Sequence, residues 1–193
     1  TNEKSTKALS VTGENGKTIL KSAASYTFGR STLDNRFDPS DGSLFEVAQE
    51  IAGIGGDAKY YRVVLSGAYY KPMMFNTFFL GTKGRIGQVT GLGENVTQSQ
   101  RFFLGGRRVR GFDGSGIGPR DQGSNAAVGG NKVFNGTFEV VSRAGISKDL
   151  SMRWTVFSDF GSVWETDYPS GVTGANDSSI RSSLGAGLLW DTF

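Results

Sequence analysis

Four groups of residues in this chain have the types and spacing for chemistry. Arg107-Arg108-Val109-Arg110, followed by Gly111-Phe112, concentrates guanidinium groups that could bind phosphate, and Arg-Gly-Phe is an echo of an RNA-binding strand. Gly114-Ser115-Gly116-Ile117-Gly118 is a glycine run of the kind that cradles nucleotide phosphates. Asp113-Gly114-Ser115-Gly116 could open a calcium loop. Glu139 and Asp159 could serve as a carboxylate pair for glycoside hydrolysis. The first three lack their context. The rest of the RNA-binding motif is missing. The glycine run has no strand before it, no helix after it and no Lys-Ser/Thr, and the acidic ligands of an EF-hand loop are absent.

Composition removes further classes. The 193 residues include no cysteine and no histidine. Disulfide frameworks, His/Cys metal sites and nucleophiles activated by imidazole are therefore excluded. Basic and acidic residues number 21 and 18, a net charge of +3 that is too balanced to imply nucleic acid by itself. No window approaches the ~18 consecutive apolar residues of a spanning helix, which leaves a membrane barrel open because its strands dilute apolar residues with polar ones. Thr1-Asn2-Glu3-Lys4 is not a signal peptide, so the chain reads as a mature protein or an internal piece.

The elements that must carry these residues are strands. Helical periodicity is nearly absent, and period-two runs are separated by Gly/Asp/Asn/Ser/Pro clusters. The pattern predicts seven strands, near 19–31, 43–53, 59–71, 74–89, 132–143, 150–163 and 179–190, with a long loop over 90–131. Each has an apolar face opposite one of charged and small residues. Tyr61, Val63, Leu65, Gly67 and Tyr69 oppose Tyr60, Arg62, Val64, Ser66, Ala68 and Tyr70. Phe134, Phe138 and Val140 oppose Asn135, Thr137 and Glu139, while Trp154, Val156 and Phe160 oppose Arg153, Thr155 and Asp159. A soluble sandwich alternates too, but its strands run about 5–6 residues, and a tilted membrane strand needs ~9–11. Tyr61 and Tyr69 would sit roughly 19 Å apart along the membrane normal, near the spacing of aromatic girdles. Long loops alternate with shorter turns, as in an outer-membrane barrel. The 34–42 turn is long for the short side. Phe102, Phe103, Leu104, Val109, Phe112 and Ile117 predict that the long loop folds back and packs.

Arg101-Phe-Phe-Leu-Gly-Gly106, Val109-Arg110-Gly111-Phe112, Gly116-Ile-Gly-Pro-Arg-Asp121 and Gly129-Gly130-Asn131 together resemble the sixth extracellular loop of the BamA-type outer-membrane assembly barrels. The resemblance spans roughly 20–191. It includes Leu33-Asp-Asn35, Asp38-Pro-Ser-Asp-Gly42, Tyr60-Tyr-Arg62, Thr137-Phe-Glu-Val140 and Phe157-Ser-Asp-Phe-Gly-Ser-Val-Trp164.

The resemblance implies an all-β fold, an antiparallel transmembrane β-barrel, here a partial barrel of about seven meandering strands with a long inward-folded loop. Residues 1–193 would be part of a single barrel domain integral to the bacterial outer membrane, without the periplasmic POTRA modules and the remaining strands of the family. Seven strands cannot close around so many charged side chains. Trp190-Asp-Thr-Phe193 reads as the end of the third-last barrel strand. In this family the loop motif Val109, Arg110, Gly111 and Phe112 anchors the loop in the lumen, with Arg110 paired to Glu139 and Asp159. The implied partners are unfolded outer-membrane proteins, accessory assembly lipoproteins, and outer-membrane lipid and lipopolysaccharide. No nucleic acid, cofactor, metal or enzymatic chemistry is implied. Three alternatives stay open: TamA or a two-partner secretion transporter of the same superfamily, a passive porin, and a soluble β enzyme using Asp159 and Glu139. An arginine partner would lower the pKa of both acids, which works against a general acid.

Overall fold

The computed structural model describes residues 3–12, 18–73, 77–142, 152–167 and 170–190. It contains one antiparallel sheet of eight strands in chain order: β1 (Glu3–Thr12), β2 (Thr18–Ser31), β3 (Gly42–Ala52), β4 (Tyr60–Met73), β5 (Phe78–Gly91), β7 (Lys132–Ser142), β8 (Met152–Trp164) and β10 (Arg181–Trp190). Two short strands, β6 (Arg120–Asp121) and β9 (Val172–Thr173), pair with each other between the two longest loops. The sheet is open: β1 and β10 are its two edges. The strands predicted by the period-two pattern are present, and the all-β antiparallel partial barrel that the resemblance implies is the observed fold.

One strand was not expected. Glu3–Thr12 pairs with β2 along its whole length, making eight strands rather than seven. Its sequence shows no apolar alternate row, only Ala8, Leu9 and Val11 among polar residues. It joins through backbone hydrogen bonds that any sequence can make. Parts of three expected strands, 74–76, 143 and 150–151, lie outside the described residues, as do the terminal residues 191–193.

The registers put every predicted face together. Val47, Leu65, Ile86 and Phe134 align across β3, β4, β5 and β7. The outward row is apolar and uncovered by protein: Leu184 is 80% exposed, Ile86 62% and Phe138 53%. Phe138 stacks on Phe160, and Phe78 meets Trp154, so the belt is also rich in ring contacts. In water each such side chain would forgo ~1.5–3 kcal/mol of burial. Hydrocarbon removes that penalty, and the long strands supply the needed span.

The opposite face is an interior. Two apolar clusters sit on it, one at each end. The larger joins Ala52, Tyr60, Val89, Val133 and Val163 of the strands to Val96, Phe102, Leu104, Val109 and Ile117 of the long loop. The smaller consists of Tyr70, Phe79 and Val141, with Leu33 packed against it. Charged side chains occupy the band between them. The sheet curls strongly, because Arg153 of β8 reaches Asp38 in the β2–β3 turn at 2.8 Å although β3, β4, β5 and β7 lie between β2 and β8. That turn is long but rigid. The Asp34 carboxylate accepts from the Ser40 hydroxyl and from the backbone N–H groups of Asn35, Ser40 and Asp41, which holds it well below the usual carboxylate range.

Charge placed on the outward row tests the solvent assignment. Ile86→Arg is expected to destabilise the protein in bilayers by ~2–4 kcal/mol, and Gln88→Arg, nearer the strand end, by ~0–1 kcal/mol. Denaturant titration of the full-length protein in lipid vesicles measures both; equal costs would contradict a membrane belt.

Candidate functional site

The long loop, residues 92–131, is a folded element. Isolated bridges pair Phe102 with Gly130, Leu104 with Ile117 and Arg120 with Ala127. Buried Arg101 ties the base by donating from Nε and Nη2 to the Val96 carbonyl, at 3.2 and 3.0 Å. The loop is also joined to the β8–β10 connection. The Asp167 carboxylate accepts from the Val96 N–H at 2.7 Å and from Asn131 Nδ2 at 2.9 Å, and β6 pairs with β9. Asp121, at that junction, accepts from the Ser124 hydroxyl and N–H, which lowers its pKa.

The tip runs into the interior and meets β7 and β8. Val109 is fully buried in the larger apolar cluster, and Phe112 packs against it. Between them the chain turns at Gly111, whose φ of +87° is a left-handed conformation that favours glycine. This turn aims Arg110 at the wall. Its Nε donates to Asp159 Oδ2 at 2.7 Å and its Nη2 to Oδ1 at 2.8 Å, a two-pronged fork. Nη1 donates to Glu139 Oε1 at 3.1 Å, and the Arg110 backbone N–H gives Asp159 a further bond at 3.0 Å. Thr137 Oγ1 donates to Asp159 and Thr155 Oγ1 to Glu139, each at 2.9 Å. Asp159 is 1% exposed, so it sits at the dry end of the site.

The structure therefore brings Arg110, Glu139 and Asp159 together, with Val109, Gly111 and Phe112 setting the approach. It adds a residue that the pattern did not single out. Phe157 faces inward, and the guanidinium carbon of Arg110 lies 3.3 Å from its ring centroid, a stacked contact. The ring is laid over the cross-strand neighbour Gly185, where a Cβ would fall 2.5 Å from a ring carbon. Two clues were available: Phe157 shares its face with Asp159, two residues on, and Gly185 falls on the charged face of its own strand.

The arrangement ties the loop tip to β7 and β8 through Arg110. Both oxygens of Asp159 accept from Arg110, and Glu139 Oε1 accepts from Arg110 and Thr155. Among the described residues no group of three or more acidic side chains could hold a metal.

A curled antiparallel sheet, apolar outside, ionic inside and gripping a folded-in loop, defines a section of a transmembrane β-barrel wall. The chain belongs to the Omp85 superfamily, whose domain model matches residues 1–192. It is 34% identical over 184 residues to the outer membrane protein assembly factor BamA of Neorickettsia risticii, covering 95% of this chain and 24% of that protein. It is 30% identical over 168 residues to BamA of Neisseria meningitidis serogroup B, covering 83% and 21%. The sorting and assembly machinery component 50 homolog of Mus musculus is 31% identical over 134 residues, 68% of this chain and 28% of that one. The crystal structure of Haemophilus ducreyi BamA lacking POTRA domains 1–3 superposes with a TM-score of 0.79 at 26% identity, over 91% of this chain and 37% of that one. The chain thus spans about a quarter of the length of the curated BamA relatives it matches.

Removing the guanidinium would leave a buried carboxylate and its neighbour facing each other. Arg110→Ala is expected to cost about 3 kcal/mol, the lower end for a broken buried pair because Arg110 is itself one-third exposed. Arg110→Lys should recover only part of this, since an ammonium cannot reproduce the fork. Denaturant unfolding together with protease cleavage of the 92–131 loop reads the effect; a fully stable alanine variant would contradict it.

Proposed function

We propose that this chain is a portion of the barrel domain of an outer-membrane protein assembly factor of the BamA kind, which folds and inserts β-barrel proteins into the bacterial outer membrane. The observation that carries the reading is the inward-folded loop held by Arg110 within an Omp85 frame. The names of the relatives and the barrel similarity support it. On this reading all 193 residues lie within one barrel domain of a longer protein, and the substrates are unfolded outer-membrane proteins. Accessory assembly lipoproteins, outer-membrane lipid and lipopolysaccharide complete the set of partners.

The work is mechanical rather than enzymatic. An unfolded strand entering a membrane carries backbone N–H and C=O groups that hydrocarbon cannot satisfy, so insertion without help is slow. A barrel that exposes a strand edge offers those groups partners one residue at a time. The region described here supplies the stiff part of such a device. Its strands pair over 10 or more residues at nearly every junction, and its loop braces the inside. Val109, Arg110, Gly111 and Phe112 act as the loop anchor, and Glu139 and Asp159 as its seats.

The test uses the full-length protein in liposomes with a urea-denatured outer-membrane barrel as substrate. Insertion, read by heat-modifiable gel mobility, is expected to be faster than in empty liposomes and slower again with Arg110→Ala. Equal rates with and without the protein would contradict the assembly function. A large, steady single-channel conductance in its place would favour a porin.

A further inference from the structure

The interior holds a second ionic feature, adjoining the Arg110 fork. The loop tip and strands β3, β4, β5 and β7 border an open cavity of about 360 Å³. Lys83 and Arg85 of β5, and Arg107, Arg108 and Arg110 of the loop, line it against a single carboxylate, Glu139. That carboxylate is already bonded to Arg110 and Thr155. Among the described residues, no carboxylate lies within ion-pair distance of Lys83, Arg85, Arg107 or Arg108.

Arg85 shows the imbalance most clearly. It is partly buried, and its guanidinium rests 5.4 Å from the Phe102 ring centroid. The charged groups that act on it are both cations, Arg108 across the cavity and Arg62 on β4. Arg62 is itself placed, between the Tyr60 and Phe102 rings and donating to the Gln100 carbonyl. Arg62 and Arg85, held this way, cannot simply splay apart, whereas Arg107 and Arg108 are exposed at the cavity mouth; partly buried charges are normally paired. The cavity has one more open position. The Asn135 side-chain oxygen on its β7 wall is buried and has no hydrogen-bond partner.

We propose that this cavity is an oxyanion site that takes a phosphate-bearing ligand. Guanidinium forks match phosphate oxygens in geometry. A phosphate group concentrates roughly −1.5 to −2 charge on a few atoms, which suits several converging cations better than a lone carboxylate. Its remaining hydroxyl can donate to Asn135. The ligand is either a free phosphate-class anion in the lumen water or the phosphorylated head group of a membrane lipid, and both present the same chemistry to Arg85 and Arg108. The site shares Arg110 and Glu139 with the fork and requires the loop tip inside the wall, but phosphate binding there does not require the assembly function.

The experiment titrates sodium pyrophosphate into the full-length protein in lipid nanodiscs, read by isothermal titration calorimetry and by thermal unfolding. Saturable binding is expected, with a rise in melting temperature. Arg85→Gln and Arg108→Gln should each weaken it about tenfold or more, the scale of a lost hydrogen bond to a charged group. Arg85→Lys, which keeps the charge but not the fork, should retain only part of it, and Arg36→Gln, in the β2–β3 turn and outside the cavity lining, should bind like wild type. Adding lipopolysaccharide to the nanodiscs separates the sources: loss of pyrophosphate binding assigns the site to a lipid head group, and unchanged binding to a free anion. Absence of saturable binding, equal binding by the Arg85→Gln and Arg108→Gln variants, or binding of a polyglutamate peptide with pyrophosphate inert would each overturn the proposal.

Discussion

A nearly dry carboxylate on a barrel wall must be paired, and here the partner comes from a loop. Asp159 is 1% exposed and accepts four hydrogen bonds, three of them from Arg110. An ionised group in that position without a cation would be strongly destabilising. The converse also holds, because a guanidinium stacked on Phe157 and bonded to two acids has lost most of its water. Wall and loop therefore complete each other. Strands β7, β8 and β10 gain a filled inner face, and the loop gains a fixed end point far from its base. Gly185 belongs to this unit, since any side chain there would displace the ring that carries the guanidinium.

The second constraint is the solvent on the other side. The same period-two alternation that aims Asp159 and Glu139 inward aims Phe160, Phe138 and Val140 outward. Polar positions are tolerated inside because they pair with one another between the two apolar clusters, and the outward row is stable against hydrocarbon. Neither face would be satisfied in a soluble sandwich, where the apolar rows would meet in a dry core. The loop takes the place of such a core at one end: Val96, Phe102, Leu104, Val109 and Ile117 cover the inward valines of β5, β7 and β8.

The fold was largely legible because alternation is a local property. Which face of each strand is apolar follows from residues two apart, and the aligned rows of Val47, Leu65, Ile86 and Phe134 keep those faces. Strand β1 was not legible, since it lacks an apolar row and is recruited by backbone pairing. Local spacing also says nothing of which acids Arg110 meets, at sequence separations of 29 and 49; that grouping enters only through the resemblance of the loop motif. The Phe157 stack went unmarked because an aromatic on a charged face reads as an interruption of the pattern, and its partner glycine is 28 residues away on another strand. Likewise the joining of the two long loops through Asp167 depends on two side-chain bonds with no periodic signature.

The central claim is that the loop tip sits inside the wall at β7, β8 and β10. A Cβ built on Gly111 would lie 3.8 Å from the Ser183 Cβ, within the range a disulfide needs, and this chain has no cysteine of its own. Gly111→Cys places a side chain at φ +87°, so folding of the Gly111→Cys/Ser183→Cys full-length protein is first checked by heat-modifiable mobility; the folded protein, oxidised in intact outer membranes, should give a cross-link seen as a gel shift that reductant reverses. Two cysteines that remain fully alkylatable after oxidation, in protein that is otherwise folded, would contradict the account.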